Sequence, residues 1–286
     1  MVDGLSYAGI TINDRKRMNY SVVIPVLNQL HYTRQCVDSL LAAGVPVESV
    51  LVINNGSVDE TLAYLAANPQ IPSINNDVNL GCGGAWTQGA LAVRSEWVVL
   101  LNNDVVLGHN AIEASIHAAE RLKLGVVSTA LIEGELDYDL AEFTNKFVAE
   151  MKDVVRPGWF HGVCFAVHRD VFHQIGFLDT DRNLFGREDA EFLARCKRGN
   201  IAVGTTGAAV MHHFGSITQS AMKREQGVKE FGDHRYAYRR FGMNWWDRQR
   251  NKIERKRNER SWCERELAEH GMTLHMDRRG GTWSYR

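Results

Sequence analysis

"WVVLLNNDVV" runs from Trp97 to Val106, an apolar run that ends in three polar residues before two valines. The apolar run from Trp97 to Leu101 reads as a strand buried on both faces, the pattern of parallel sheets covered by helices. Such a strand should not end in Asn102, Asn103 and Asp104 unless its C-terminal end opens onto an edge or a crevice. Open α/β sheets bind their ligands at that end.

The same rhythm extends outward from this strand. "YSVVIPVL" (Tyr20 to Leu27) predicts a strand, "YTRQCVDSLLAAG" (Tyr32 to Gly44) a helix ended by its glycine, and "VESVLVIN" (Val47 to Asn54) a second strand. "SVDETLAYLAAN" predicts a helix starting at Ser57, with Glu60 at capping-box spacing, and "GGAWTQGALAVR" leads as a helix into the strand from Glu96 to Leu101. Strands alternating with helices predict a mostly parallel sheet with helices on both faces. The loops "PVLNQ", "NNGSVDE", "NLGCGGAWTQG" and "NND" then fall on one rim. Gly81, Gly83 and Gly84 let backbone approach a ligand closely, and the helix after them offers unpaired N–H groups to an anion. The cluster does not match the G-x-G-x-x-G fingerprint after a first strand, which argues against an NAD-type oxidoreductase.

Composition sets the outer bounds. With 286 residues, 44% hydrophobic and 23% charged, the chain can bury a full core in one large domain, or in one domain with an appendage. No apolar run approaches the roughly 20 residues that span a bilayer, and the first residues lack the basic-then-apolar order of a signal peptide. A cytoplasmic protein is expected. Five cysteines without a C-x-x-C spacing suggest reduced thiols, with neither a disulfide nor a structural zinc. The net charge of -1 conceals an asymmetry, because residues Met222 to Arg286 hold 17 Lys+Arg against 10 Asp+Glu. With Trp245, Trp246, Trp262 and Trp283, this basic stretch predicts a mostly helical appendage on an acidic body.

"SVVIPVLNQ", "VLVINNGSVDET", "NLGCGGAWTQG", "LLNNDVV", "GVCFAVHRDVFHQIGFLD", "FGREDAEFLARCKRGN" and "AVMHHFGS" occur in the order and spacing of GT-A glycosyltransferases of family 2. The chain most resembles that family's rhamnosyltransferase and galactofuranosyltransferase-like branch. The resemblance covers residues 19–216 and implies a Rossmann-like nucleotide-sugar-binding domain there. It leaves 1–18 as an N-terminal extension and 217–286 as the basic C-terminal extension.

The resemblance also implies roles. Asn102-Asn103-Asp104 stands where the family's Asp-x-Asp motif holds a divalent metal against the donor diphosphate, so Mn²⁺ or Mg²⁺ is the expected cofactor. Asp104 keeps the carboxylate, while Asn102, departing from the first acid, would bond sugar or ribose. A hard cation needs only one or two carboxylates beside substrate phosphates; a plain Asn-Asn-Asp turn is the competing reading. Asn54 replaces an Asp that often accepts from a pyrimidine N3–H, and uracil or thymine is still expected. Pro25, Val26 and Asn28 would line the same nucleotide pocket, with Asn55, Ser57, Asn79, Gly81, Gly83 and Asn103 around it.

On the acceptor side the resemblance puts the catalytic base at Asp189, with Glu188 beside it. Acidic residues also suit a helix start for dipole reasons. "AAVMHHFGS" supplies a second metal ligand; a strand turns adjacent histidines to opposite sides, and the family pattern favours His212, with His213 second. Trp159 and His161 would border the acceptor, or else belong to an aromatic core. Residues 133–155 show no clear period and read as a variable insertion over the site.

These expectations converge on a metal-dependent, inverting glycosyltransferase moving a sugar from a nucleoside diphosphate, UDP or dTDP preferred, to a hydroxyl of a glycan or glycolipid. The alternatives are a glycosyltransferase acting on nucleic acid or protein, a non-catalytic nucleotide-sugar binder, and a nucleotidyltransferase. The first differs only in acceptor, the second would not need Asp189, and the third lacks its basic phosphate loop. Three readings of the basic extension stay open: a solvated helix packed on the body, a membrane-surface contact with anionic lipid, or a nucleic-acid contact.

Overall fold

Parallel pairing joins the first four strands of the sheet, and residues Cys164–His168 enter antiparallel between Trp97–Leu101 and Val126–Gly134. In the computed structural model, which describes residues 18–184, 186–215, 217, 221 and 234–286, strand β1 (Tyr20–Val26) lies between β2 (Val50–Asn55) and β4 (Trp97–Leu101), parallel to both. β3 (Ser73–Asn76) extends β2 in parallel. The opening strand behaves as its composition requires, since every residue from Trp97 to Leu101 is buried. Nearly all of the extension expected over 1–18 lies outside the described residues.

Helices α1 (Leu30–Ala42), α2 (Thr61–Ala67) and α3 (Gly81–Ala92) connect these strands. Three boundaries differ from the sequence reading. Residues Val47–Ser49 form a 3₁₀ turn, so the second strand starts at Val50. α2 starts at Thr61 and not at Ser57, because the Asp59 carboxylate accepts from the Thr61 N–H (3.0 Å) while Ser57 ties two loops together. The glycines do not precede the third helix; they form its first turn.

The chain continues through β5 (Val105–Leu107), α4 (Ala111–Leu122), β6 (Val126–Gly134), α5 (Leu140–Met151), β7 (Val155–Pro157), β8 (Cys164–His168), α6 (Arg169–Ile175), α7 (Glu188–Arg198) and β9 (Val203–His213). Residues 133–155, expected as an irregular insertion, are the end of a strand and a helix whose N-cap, Asp139, accepts from Ala141 and Glu142. Alternation along β1 and β4 divides the core. Val22, Ile24, Val99 and Leu101 pack with Leu40 and Ile116 on one face, and Val23, Val98 and Leu100 pack with Trp86, Phe172 and Phe192 on the other. Burial of each such side chain stabilises the fold by about 1.5–3 kcal/mol.

The C-terminal extension requires a larger correction. α8 (His234–Arg240) and α9 (Trp245–His270) are helical as expected, but β10 (His275–Arg279) and β11 (Thr282–Tyr285) join the central sheet. β10 runs parallel to β6, giving the order β11-β10-β6-β8-β4-β1-β2-β3. Met272, Leu274 and Met276 pack with Phe147 and Met151, so this edge has its own core. Arg156 on β7 donates to both carboxylate oxygens of Glu266 on α9 at 2.8 Å, and the Leu274 N–H donates to the same carboxylate. The five cysteines are free thiols. Among the described residues, no helix is long and apolar enough to cross a membrane.

Candidate active site

Strand register brings the rim residues together. β5 pairs antiparallel with β9 so that Val105 faces His213, and the Phe214 N–H donates to the Asp104 carbonyl at 3.0 Å. Asp104 Oδ2 therefore lies 3.4 Å from His213 Nε2. On the other edge of β9, Glu133 is the register partner of His213, and its Oε1 lies 3.3 Å from Nδ1. His275 on β10 and the Arg286 guanidinium reach the second oxygen of Glu133, at 3.3 and 3.4 Å.

Charge in this row is strongly coupled. Burial alone would raise the Asp104 carboxyl, but the hydrogen bond and charge of His213, with the Ile217 N–H at 2.9 Å, hold it below its ordinary value. Burial would likewise lower the His213 imidazole, yet Asp104 and Glu133 raise it to about 9. Hydrogen bonds from His213 and His275 keep Glu133 well below the carboxylate range.

His212 points to the opposite face of the sheet, as alternation requires. Its Nδ1 lies 2.9 Å from the Tyr138 hydroxyl and its Nε2 3.1 Å from the Gly134 carbonyl. Burial lowers it to about 4. The expectation favours His212 as the metal ligand, with His213 second; of the two, His213 lies beside Asp104.

Asp104 and His213 fit a divalent ion. Their 3.4 Å separation is close to the roughly 3 Å between adjacent ligands of an octahedral ion with bonds of about 2.1 Å. A carboxylate with an imidazole suits Mn²⁺. No group of three or more His, Cys, Asp or Glu side chains able to hold a metal occurs among the described residues, so phosphate oxygens and water would supply the other ligands.

The residues expected around the nucleotide build the rim's scaffold. Asn28 donates its N–H to Ser57 Oγ and accepts from the Val58 N–H, both at 2.8 Å. Asn54 is buried, donating to Asn75 Oδ1 and accepting from the Ser57 N–H. Asn55 donates to Asn79 Oδ1 and to the Gly81 carbonyl, and Asn79 accepts from the Gly81 N–H. Pro25 is half-buried beside them. Val26 and Asn103 are buried. Val26 packs in the core, and Asn103 turns under the rim to donate to Thr33 Oγ1 at 3.0 Å. Asn102 points the other way, its Oδ1 lying 3.9 Å from Cys82 Sγ.

Cys82 is a rim residue that the sequence reading missed. Burial raises its thiol well above the ordinary value, and the charges of Glu188, Asp189 and Asp104 add to this. Glu188 is buried, and its Oε2 accepts from the Arg187 N–H at 2.8 Å. Burial, with the charge of Asp189, raises it to about 7, although N–H groups including that of Gly83 oppose the shift. A Cβ at Gly83 would lie 2.9 Å from Glu188 Cγ and strike the Asp179 carbonyl, so glycine there lets α7 dock on α3. A Cβ at Gly162 would likewise strike the Asp189 carboxylate. Burial raises the Asp189 carboxyl too.

His161 precedes Gly162, is buried, and packs its ring edge-on to His275 with centroids 4.9 Å apart. Its Nε2 has no hydrogen-bond partner among the described residues. Trp159 is partly buried and packs on the core. Glu133 and His275 were not among the expected site residues. The polar end of the apolar run "VVSTALIEG" repeats the signal of the opening strand, and the alternating Met272, Leu274 and Met276 mark the strand that carries His275.

The family model described as glycosyl transferase family 2 matches residues 21–188. An N-acetylglucosaminyl-diphospho-decaprenol L-rhamnosyltransferase of Mycobacterium tuberculosis is 29% identical over 222 residues, covering 64% of this chain and 72% of its own length. An uncharacterized glycosyltransferase of Rickettsia felis is 26% identical over 233 residues, covering 75% of this chain and 36% of its own. This chain thus spans about a third of that relative. GalNAc-T7, solved with UDP, GalNAc and Mn²⁺, superimposes with a TM-score of 0.55 at 15% identity, over 70% of this chain and 44% of its own. The mannosyltransferase PcManGT of Pyrobaculum calidifontis, in complex with GDP-Man and Mn²⁺, does so with 0.53 at 18%, over 70% and 57%. These likenesses are of fold, the GT-A glycosyltransferase fold.

Proposed function

The chain belongs to glycosyl transferase family 2 and is an enzyme of that type; from that premise we propose a metal-assisted, inverting transfer of a sugar from UDP or dTDP to a hydroxyl of a glycan or glycolipid. The observation that carries this reading is the buried Asp104–His213 pair, 3.4 Å apart at the strand ends, with the raised carboxyls of Glu188 and Asp189 opening α7. One side is built for a cation and a diphosphate, the other for a proton.

Asp104 and His213 would hold Mn²⁺ or Mg²⁺, which when bound supplies Lewis-acid stabilisation of the leaving diphosphate. His213 must give up its proton to serve as a ligand. Glu133, at 3.3 Å from Nδ1, fixes the ring so that Nε2 faces Asp104. Asp189 takes the acceptor hydroxyl's proton as that oxygen attacks the anomeric carbon, and its raised proton affinity suits a base. Glu188, near half-protonated at neutral pH, limits negative charge beside it. The name of the M. tuberculosis relative describes a polyprenol-linked acceptor, which supports a glycolipid here.

A screen of UDP-, dTDP- and GDP-sugars for slow hydrolysis, with and without Mn²⁺ or Mg²⁺, tests this reading without an acceptor. Metal-dependent release of nucleoside diphosphate from at least one donor is expected. Release that is unaffected by either metal, or none from any donor, would overturn it.

A further inference from the structure

The amino-terminal half of α9 turns large apolar groups outward. Trp246 is 73% exposed, Ile253 67% and Trp245 56%. An amphipathic helix normally buries such residues, so together they mark a contact surface. Trp246, Arg250, Ile253 and Arg257 follow i, i+4, i+7 and i+11 on one stripe, and Trp245, Lys252 and Lys256 lie on the adjacent stripe. Asp247 and Glu254 lie off both stripes. Arg250 pairs with Asp247 at 2.7 Å, whereas Lys252, Lys256 and Arg257 make no ion pair among the described residues. This face therefore combines exposed apolar groups with uncompensated positive charge.

We propose that this face of α9 docks on an anionic lipid bilayer, with the tryptophans at headgroup level and the cations beside lipid phosphates. Helices of this composition lie in the interfacial plane of membranes. Charge complementarity selects the occupant and orients it, because the basic excess is confined to the C-terminal region while the rest of the chain is acidic. A phosphate backbone would use the same cations but would leave the exposed Ile253 without a role.

The helix is also mounted on the acceptor side. Arg240 on α8 pairs with Asp179 at 2.7 Å, Tyr236 donates to Asp181, and the Arg248 guanidinium lies 3.6 Å from the Tyr238 ring centroid. The Asp179 carbonyl in turn packs against Gly83 beside Glu188. A bilayer held by α9 would thus lie next to the segment leading into the proposed base. That consequence rests on the function proposed above; docking itself does not.

The test is co-sedimentation of the full chain with phosphatidylcholine vesicles, with and without phosphatidylglycerol, beside a gel shift with single- and double-stranded DNA at matched ionic strength. Binding to the anionic vesicles alone is expected. Charge reversal at Lys252, Lys256 and Arg257, or Trp245→Ser with Trp246→Ser, should weaken it by at least about tenfold, as each basic residue near an anionic surface contributes several-fold. Metal-dependent donor hydrolysis without vesicles should be unchanged in both variants, which separates a failure of docking from a failure of the site. Quenching of wild-type tryptophan fluorescence by brominated lipid in the anionic vesicles needs no variant. Equal binding to both vesicle types, binding to neither, tighter binding to DNA, or no quenching would overturn the proposal.

Discussion

Glu133 braces His213 from the side away from Asp104, its Oε1 lying 3.3 Å from Nδ1 while Asp104 Oδ2 lies 3.4 Å from Nε2. A carboxylate behind a metal-binding imidazole sets the tautomer and the ring's direction, and its loss usually weakens the metal about 10–100-fold. Glu133→Gln keeps the shape but offers an amide that can turn the ring's proton around. Mn²⁺ affinity of the UDP complex, followed by electron paramagnetic resonance, should fall within that range while metal-free UDP binding holds. Unchanged Mn²⁺ affinity would remove Glu133 from the account.

Asp189→Asn separates binding from chemistry. The amide preserves size and hydrogen bonding but cannot take a proton, so transfer should fall by roughly 10²–10⁴ with donor affinity retained. Single-turnover transfer and donor titration of the same preparation give the two numbers. Near-normal transfer by the folded variant would place the base elsewhere.

Glu188 makes stability depend on pH. Burial raises its carboxyl from 4.5 to about 7, with Asp189 adding to the shift, so between those values the folded chain holds a proton that the unfolded chain has released. Its contribution to stability is therefore full below the lower value and is lost as pH rises through the upper one. Glu188→Gln should melt close to the wild type near pH 4 and above it near pH 8. A melting difference that is the same at both ends would contradict the assignment.

Much of this was legible in the sequence because local pattern and tertiary need agree there. The apolar run ending at Asn102 could only be a covered strand, and the acids opening α7 stand where both the dipole and the site favour them. What stayed hidden depends on pairing. His212 and His213 are equivalent as sequence, and only the register of β9 with β5 and β6 decides which meets Asp104. β10 is short and polar, and it becomes a strand because β6 offers an edge and Met276 a place in the core. Asn54 and Asn55 are strand-end amides, which suit a ligand and a scaffold alike; here they bond Asn75 on β3 and Asn79 before α3.

The Arg156–Glu266 pair shows how firmly the C-terminal region is attached. Their side chains are 3% and 1% exposed, so removing one charge strands the other in the interior. Glu266→Ala should cost about 3–5 kcal/mol, whereas an apolar replacement of both partners should cost far less. Denaturant unfolding of the two variants measures the difference, and equal losses would mean that the charges themselves are not what matters.

If Asp104 and His213 together hold the cation that binds the donor diphosphate, loss of either should abolish the metal's effect on nucleotide binding. Calorimetric titration of UDP and dTDP into the wild type, Asp104→Ala, His213→Ala and His212→Ala, with and without Mn²⁺, tests it most directly. Mn²⁺ should tighten binding of at least one nucleotide to the wild type and to His212→Ala but not to the Asp104 or His213 variants. Equal, metal-independent binding across the four proteins, or a metal effect lost only with His212, would contradict it.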